Sequence, residues 1–296
     1  MRASRVVARI GLPPDFSFDS VVRSHGWYDL PPFSYERNAR LLTTVIAERK
    51  RPVRLTFRPR GDRLEVTASA PLPPPIARRI ARRVFSLDLN LAEAARGMEG
   101  DAALTRALRQ GRGRMLRAPT LFEDAVKILF TTNCTWAATR GMVGRLIQVA
   151  GPGGESFPDA AAAARLTPRT LVSQVRCGYR AVALSRFARR VDSGRLDLSR
   201  WESGGLSSEE LRREIVAEHG FGPYAAEGLL RILGRHDFYA LDSWVRQQYR
   251  KVYPGPAAKT DVSIGRRYAR YGPHRGLALW LEMTRHWHEG ETEAWP

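Results

Sequence analysis

GFGPYAAEG, residues 220–228, is the stretch whose reading decides the fold. Two glycines one residue apart interrupt a helical pattern, and Pro223 follows at once. Gly220 suits the left-handed conformation that ends a helix. Gly222 has no side chain to keep another backbone or an anion away. Pro223 fits the first turn of a new helix, where its missing N–H costs nothing. The unit is therefore helix, tight hairpin, helix. At the start of the second helix, unpaired main-chain N–H groups and the helix dipole together make a site for one phosphate, with Phe221 and Tyr224 as its neighbours. On these residues alone an ordinary helix–helix turn is the better reading. The second helix ends at Gly234, the loop GRHDFYAL follows, and Asp242 stands where SWVRQQY begins another helix. Aspartate is a common N-cap. The alternative is a carboxylate held ionised beside a bound anion.

Outward from the hairpin, two patterns succeed one another. Residues 1–98 read as mixed α/β. Val53, Leu55 and Phe57 alternate with polar residues, RPRGD makes a turn, and Leu64, Val66 and Ala68 alternate again, so this is a hairpin with one buried face. After PLPPP, the segment IARRIARRVF places Ile76, Ile80 and Val84 on one side of a helix and arginine pairs on the other, a basic face for solvent or for a polyanion. Residues 99–296 read as all helical. Thr120 with Glu123 and Ser207 with Glu210 are capping-box pairs, and Gly151 and Gly194 stop helices.

The bulk composition narrows the function. The chain has 296 residues, 43% of them hydrophobic and 26% charged, and contains no apolar run of membrane-spanning length. Early arginines without an apolar block give no signal peptide, so a cytoplasmic location is expected. Cys134 and Cys177 are too few for a four-cysteine metal or iron–sulfur site and read as packing residues. Two histidines in HWH, 286–288, without a third ligand do not make a metal site, so none is expected on side chains. Lys+Arg total 48 against 30 for Asp+Glu, a net charge of +18. Arginine enrichment in a solvated surface accounts for part of this; an excess of this size points to a nucleic-acid partner.

With these features in place, the chain resembles the helix–hairpin–helix DNA glycosylases, in particular the 3-methyladenine/8-oxoguanine branch. The hairpin followed by a Gly-containing loop and Asp242 carries the resemblance. So do LFTTNCTWAATRGMVGRL, RCGYRAVALSRFARRV and YGPHRGLALWLEM, in order along nearly the whole chain. The resemblance implies a small antiparallel-sheet α+β domain followed by a helical domain of two lobes around a cleft. It implies a monomer acting on double-stranded DNA with a damaged base, most naturally a purine.

What the resemblance implies for the site is specific. The target nucleotide is flipped out of the duplex at a cost of a few kcal/mol. Asn133 stands at the position that fills the vacated space, Tyr179 at that of an aromatic wedge, and Arg180 at that of an arginine touching the orphaned base. From the residues alone, Asn133 reads better as a helix cap and Tyr179 as a core tyrosine. Asp242 would stabilise positive charge developing on the sugar and orient water. Tyr224 occupies the position of the lysine that forms a Schiff base in bifunctional members, so base hydrolysis by water without strand cleavage is expected. Trp136, Phe238, Tyr239, Trp244 and Trp280 are candidates to wall the base pocket, since electron-poor alkylated bases favour aromatic walls. A sodium or potassium ion on hairpin carbonyls is a family expectation. Two alternatives remain: a lyase using another amine, such as Lys127 or Lys251, and a non-catalytic binder of distorted DNA.

Overall fold

The computed structural model describes residues 5–255 and 260–289; the reading of the N-terminal stretch concerns in part residues 1–4, which lie outside them. Five strands form one antiparallel sheet: β1 (Arg5–Gly11), β2 (Ser34–Glu36), β3 (Leu41–Glu48), β4 (Arg51–Arg60) and β5 (Arg63–Ala68). Their order is β1-β5-β4-β3-β2. The expected hairpin is β4–β5, registered with Thr56 opposite Thr67 and Phe57 opposite Val66. Its turn is the pair Gly61-Asp62, with Gly61 at φ +60°. A positive φ at the first turn residue matches the twist of the flanking strands and favours glycine there. Val53, Leu55, Phe57, Leu64, Val66 and Ala68 are all buried, so the alternation does mark one core-facing side. β1, β2 and β3 complete the sheet around this pair.

Four short helices accompany the sheet region: α1 (Phe18–Val22), α2 (Pro74–Val84), α3 (Ala92–Gly97) and α4 (Ala102–Arg109). α2 lays Ala77, Ile80, Ala81 and Val84 on the core. Phe85, just beyond it, meets Phe18 and Phe57, each at 5.3 Å between ring centroids. The basic outer face of α2 holds for Arg78, Arg79 and Arg82, which are exposed. Arg83 departs from it: the side chain turns inward and pairs with Asp124 and Glu202, each at 2.9 Å.

The rest of the described chain is helical: α5 (Leu121–Thr131), α6 (Trp136–Ala150), α7 (Ala160–Ala164), α8 (Pro168–Thr170), α9 (Arg180–Asp192) and α10 (Leu198–Glu202). Then follow α11 (Ser208–Ala217), α12 (Pro223–Ile232), α13 (Ser243–Val252), α14 (Asp261–Tyr268), α15 (Arg275–Met283) and α16 (His286–Glu289). α5 is the central helix; every residue from Leu121 to Phe130 is buried. Its cap differs from expectation. Thr120 accepts the Glu123 amide, but the Glu123 carboxylate does not return to the cap; it pairs with buried Lys127 at 2.7 Å. A buried ammonium needs that partner more than a helix end does. The Ser207–Glu210 capping box forms in full.

Buried apolar side chains fall into two clusters. One joins the sheet and α2 to α5, α6, α9, α11 and α12. The other joins α3 and α4 to α13, α14, α15 and Trp287. The cleft described next is walled by residues of both.

Candidate active site

α11 and α12 flank the hairpin. Gly220 has φ +90°, and a Cβ there would stand 2.4 Å from the Ala183 Cβ on α9. The left-handed turn and the close approach of α9 both demand glycine. Phe221 points inward, 1% exposed, with its ring 5.0 Å from that of Phe187. Its amide donates to Glu218 O. Phe221 therefore anchors the turn rather than presenting a contact. Gly222 is the N-cap of α12, no side chain caps the helix, and a Cβ there would meet nothing within 4 Å. The helix start is thus open, with its dipole and first amides facing outward.

A cleft of about 760 Å³ opens beside this helix start. Gly220, Gly222, Pro223 and Tyr224 line it from α12, and Asp242 lines it from the start of α13. Asp242 does cap that helix: its Oδ1 accepts the Val245 amide at 2.6 Å. The cap leaves the carboxylate on the cleft lining, so the two readings of Asp242 coexist. Between the hairpin and Asp242 stands Tyr224. Its hydroxyl faces Asp242 and Thr131, and its pKa is pushed up to about 12, first by burial and then by the Asp242 charge. The group is a neutral hydroxyl at any ordinary pH.

The turn between α5 and α6 forms another part of the lip. Asn133 takes φ +47° there, a left-handed conformation that asparagine tolerates. Its Nδ2 lies 3.4 Å from the Tyr179 hydroxyl, and Tyr179 is 64% exposed, standing clear of the surface. Arg180 is elsewhere than expected. It is 6% exposed, donates to the Thr132 carbonyl and to Thr132 Oγ1, and lies 4.5 Å over the Tyr179 ring. It braces the lip from behind instead of facing outward.

Of the aromatic candidates, Trp136, Trp244 and Trp280 line the cleft; Phe238 and Tyr239 do not. Phe238 lies under the Arg212 guanidinium, and the Tyr239 hydroxyl donates to Gly265 O at 3.0 Å. The loop carrying them runs behind α12, where its carbonyls and rings serve packing. Trp136 donates to Asp29 Oδ2 at 2.8 Å, and Trp280 donates to Ser24 O at 3.0 Å. Each is thereby fixed in orientation.

Among the lining residues that the sequence does not single out are His25, Trp27 and Arg231. His25 Nε2 meets Leu116 O at 2.7 Å, and burial lowers its pKa to about 4, so the ring is neutral. Trp27 donates to buried Asp124 at 2.8 Å. Nothing local in the sequence marks either residue. Arg231 had a signal: it is seven residues after Tyr224, on the same helix face as Tyr224 and Gly228.

The two amines named as alternatives both lie among the described residues. The chain has four lysines, Lys50, Lys127, Lys251 and Lys259. Lys127, expected as a candidate amine, is fully buried against Glu123 and Phe33. Lys251 is exposed in the last turn of α13, and among the described residues no lysine lines the cleft. Of the HWH triplet, Trp287 is buried and His286 stacks near Trp244. No group of three or more His, Cys, Asp or Glu among the described residues is arranged to hold a metal. Cys177 is buried, and Cys134 donates its thiol to Phe130 O, as packing residues would. Among the described residues no helix is long and apolar enough to cross a membrane.

No protein-family model matches the chain. No curated protein matches it. Solved structures do. MBOgg1, determined with a low-affinity DNA ligand, is 21% identical with a TM-score of 0.71, over 95% of this chain and 97% of that one. The 8-oxoguanine glycosylase/lyase of Clostridium acetobutylicum, bound to double-stranded DNA with cytosine opposite 8-oxoguanine, is 17% identical at 0.70, over 92% of each chain. The 3-methyladenine DNA glycosylase of Archaeoglobus fulgidus is 20% identical at 0.68, over 93% of this chain and 97% of that one. The chain has the fold of the helix–hairpin–helix DNA glycosylases.

Proposed function

We propose that this protein is a DNA N-glycosylase that draws a damaged base into the cleft and hydrolyses its bond to deoxyribose with water. One observation carries the reading: the open start of α12 and the Asp242 carboxylate line the same cleft. The α12 amides grip a phosphate of the damaged strand, which sets position without reading sequence. Asn133 and Tyr179, protruding from the lip, enter the space that the flipped nucleotide leaves. The net charge of +18 draws the duplex in.

Cleavage of the glycosidic bond leaves positive charge on the sugar. Asp242 opposes that charge from a fixed geometry, its Oδ1 tied to the Val245 amide. The carboxylate also orients the attacking water. The neutral Tyr224 hydroxyl beside it holds the carboxylate toward the cleft. Water as nucleophile is supported by Tyr224 at the imine-forming position and by the lack of a lysine among the described lining residues. A sodium or potassium ion fits carbonyls of the hairpin turn, whose Glu218 and Gly222 oxygens each accept one amide and keep a second lone pair; bound there it would add positive charge beside the gripped phosphate.

The test is Asp242→Asn. Base release from duplexes carrying single damaged bases should fall by roughly 10³-fold, about 4 kcal/mol, while duplex binding persists. Release at the wild-type rate by the variant would remove Asp242 from the chemistry. If no damaged base is released by the wild type, the fold serves binding only. A borohydride-trapped covalent adduct with abasic DNA would replace water by an amine.

A further inference from the structure

The cleft floor carries a charge that bears on which base it accepts. Arg231 lines the cleft from α12, two helical turns and about 10 Å further along the axis than Tyr224. Its guanidinium lies 4.2 Å over the Trp280 ring. Nη2 donates to Tyr239 O, while Nε is buried without a hydrogen-bond partner. No ion pair engages the group among the described residues. Glu227, one turn back on α12, is committed to Arg212 and to the Ala240 amide. The other arginine on the lining, Arg246, is held by both oxygens of Asp261, at 2.8 and 2.9 Å. His25 is neutral. Asp242, the one carboxylate among the described lining residues, sits beside Tyr224, and its charge acts on Arg231 ahead of those of Tyr224 and Glu227.

We infer that Arg231 is a charge filter: it admits neutral bases with a carbonyl edge and excludes cationic alkylated ones. Two physical effects act in the same direction. The guanidinium already occupies the face of Trp280, so the site that would attract a cationic base is filled by the protein itself. A second positive charge brought near it, in a half-buried site of reduced dielectric, is repelled. A neutral oxopurine instead offers carbonyl acceptors, O6 in hypoxanthine and O6 and O8 in 8-oxoguanine, to a guanidinium whose Nε–H has no partner. This reverses the expectation that the aromatic walls favour electron-poor alkylated bases. The inference deepens the glycosylase reading and rests on it.

The test measures base release from duplexes carrying hypoxanthine or 8-oxoguanine, both neutral oxopurines, or N7-methylguanine, which is cationic. Each rate is divided by the spontaneous rate on the same duplex. Wild type should accelerate release of at least one neutral base about tenfold or more beyond N7-methylguanine. Arg231→Met and Arg231→Gln should narrow that ratio by a similar factor, chiefly by gaining on N7-methylguanine, and a gain is something misfolding does not produce. The filter is overturned if wild type accelerates N7-methylguanine more. It is equally overturned if the ratio stays fixed in variants that melt like wild type. Should the variants unfold, the wild-type ratio alone decides. If wild type accelerates release of none of these bases nor of any other damaged base, it is the glycosylase reading that fails, and the filter with it.

Discussion

The mouth of the cleft and its floor are built on different principles. The mouth consists of short local devices: the Gly220–Gly222 hairpin, the Asp242 cap, the Asn133 turn with Tyr179 beside it. Their caps and turns rest largely on bonds between residues close in sequence, such as Asp242 to Val245, while Tyr179 reaches Asn133 from another segment and is 64% exposed. The floor consists of side chains drawn from distant segments and locked together. Trp280 donates to Ser24, His25 meets Leu116, Trp27 donates to Asp124, and Arg231 covers Trp280. If stability resides in the floor and, as proposed, contact with DNA in the mouth, substitutions in the two regions should separate the two properties.

The largest effect is expected at Trp280. It is 5% exposed, packs against Trp244 and Trp287 and supports Arg231. Trp280→Ala should cost about 3–5 kcal/mol of stability through lost burial and the cavity left behind. Tyr179→Ala at the mouth removes an aromatic of similar size that is 64% exposed, and should cost under about 0.5 kcal/mol. Denaturant unfolding of both variants measures the contrast. Equal losses would mean that the mouth is as much a part of the core as the floor.

Next in size is a pH effect carried by the floor. His25 titrates at about 4 in the fold, because burial disfavours its charged form, against 6.5 for the unfolded chain. Between those values the unfolded state binds the extra proton, so stability falls as pH drops from 6.5 toward 4. The loss from this one group is roughly 3 kcal/mol. The stability of wild type minus that of His25→Gln, followed from pH 7 to 4, should shrink by that amount. A difference that stays constant with pH would show that His25 is not held neutral.

The same division explains what could be read from the sequence. The hairpin, the Asp242 cap, the β4–β5 pair and the capping box at Ser207 obey rules that span two to six residues, and all of them stand in the fold. The charge excess that the proposed function draws on is visible in the composition. Where a local rule met a buried charge, the buried charge prevailed: Glu123 left its cap for Lys127, and Arg83 left the basic face of α2 for Asp124. The floor depended on contacts between residues far apart, as Ser24 and Trp280 are, and no periodicity reports those. Phe238 and Tyr239 were chosen for ring chemistry alone, and their loop turned them away from the cleft. Trp280 is legible as a candidate wall by its ring, and Arg231 was within reach by counting helix turns from Tyr224.

The smallest effect is the one that isolates the phosphate grip. Gly220 and Gly222 are two residues apart and serve opposite ends. A side chain at Gly220 meets α9 and a left-handed φ, whereas at Gly222 it projects into open space with φ at −76°. Gly222→Asp should therefore leave stability unchanged or raise it slightly, since aspartate is itself a good N-cap. In the same substitution a negative charge enters the space where a phosphate would sit. Duplex affinity should weaken about tenfold, near 1.4 kcal/mol, and the slope of log affinity against log salt should become shallower by about one phosphate contact. Binding isotherms at several salt concentrations, read beside a melting curve, test both halves. Unchanged affinity would place the duplex on some other surface and leave the hairpin as a turn between two helices.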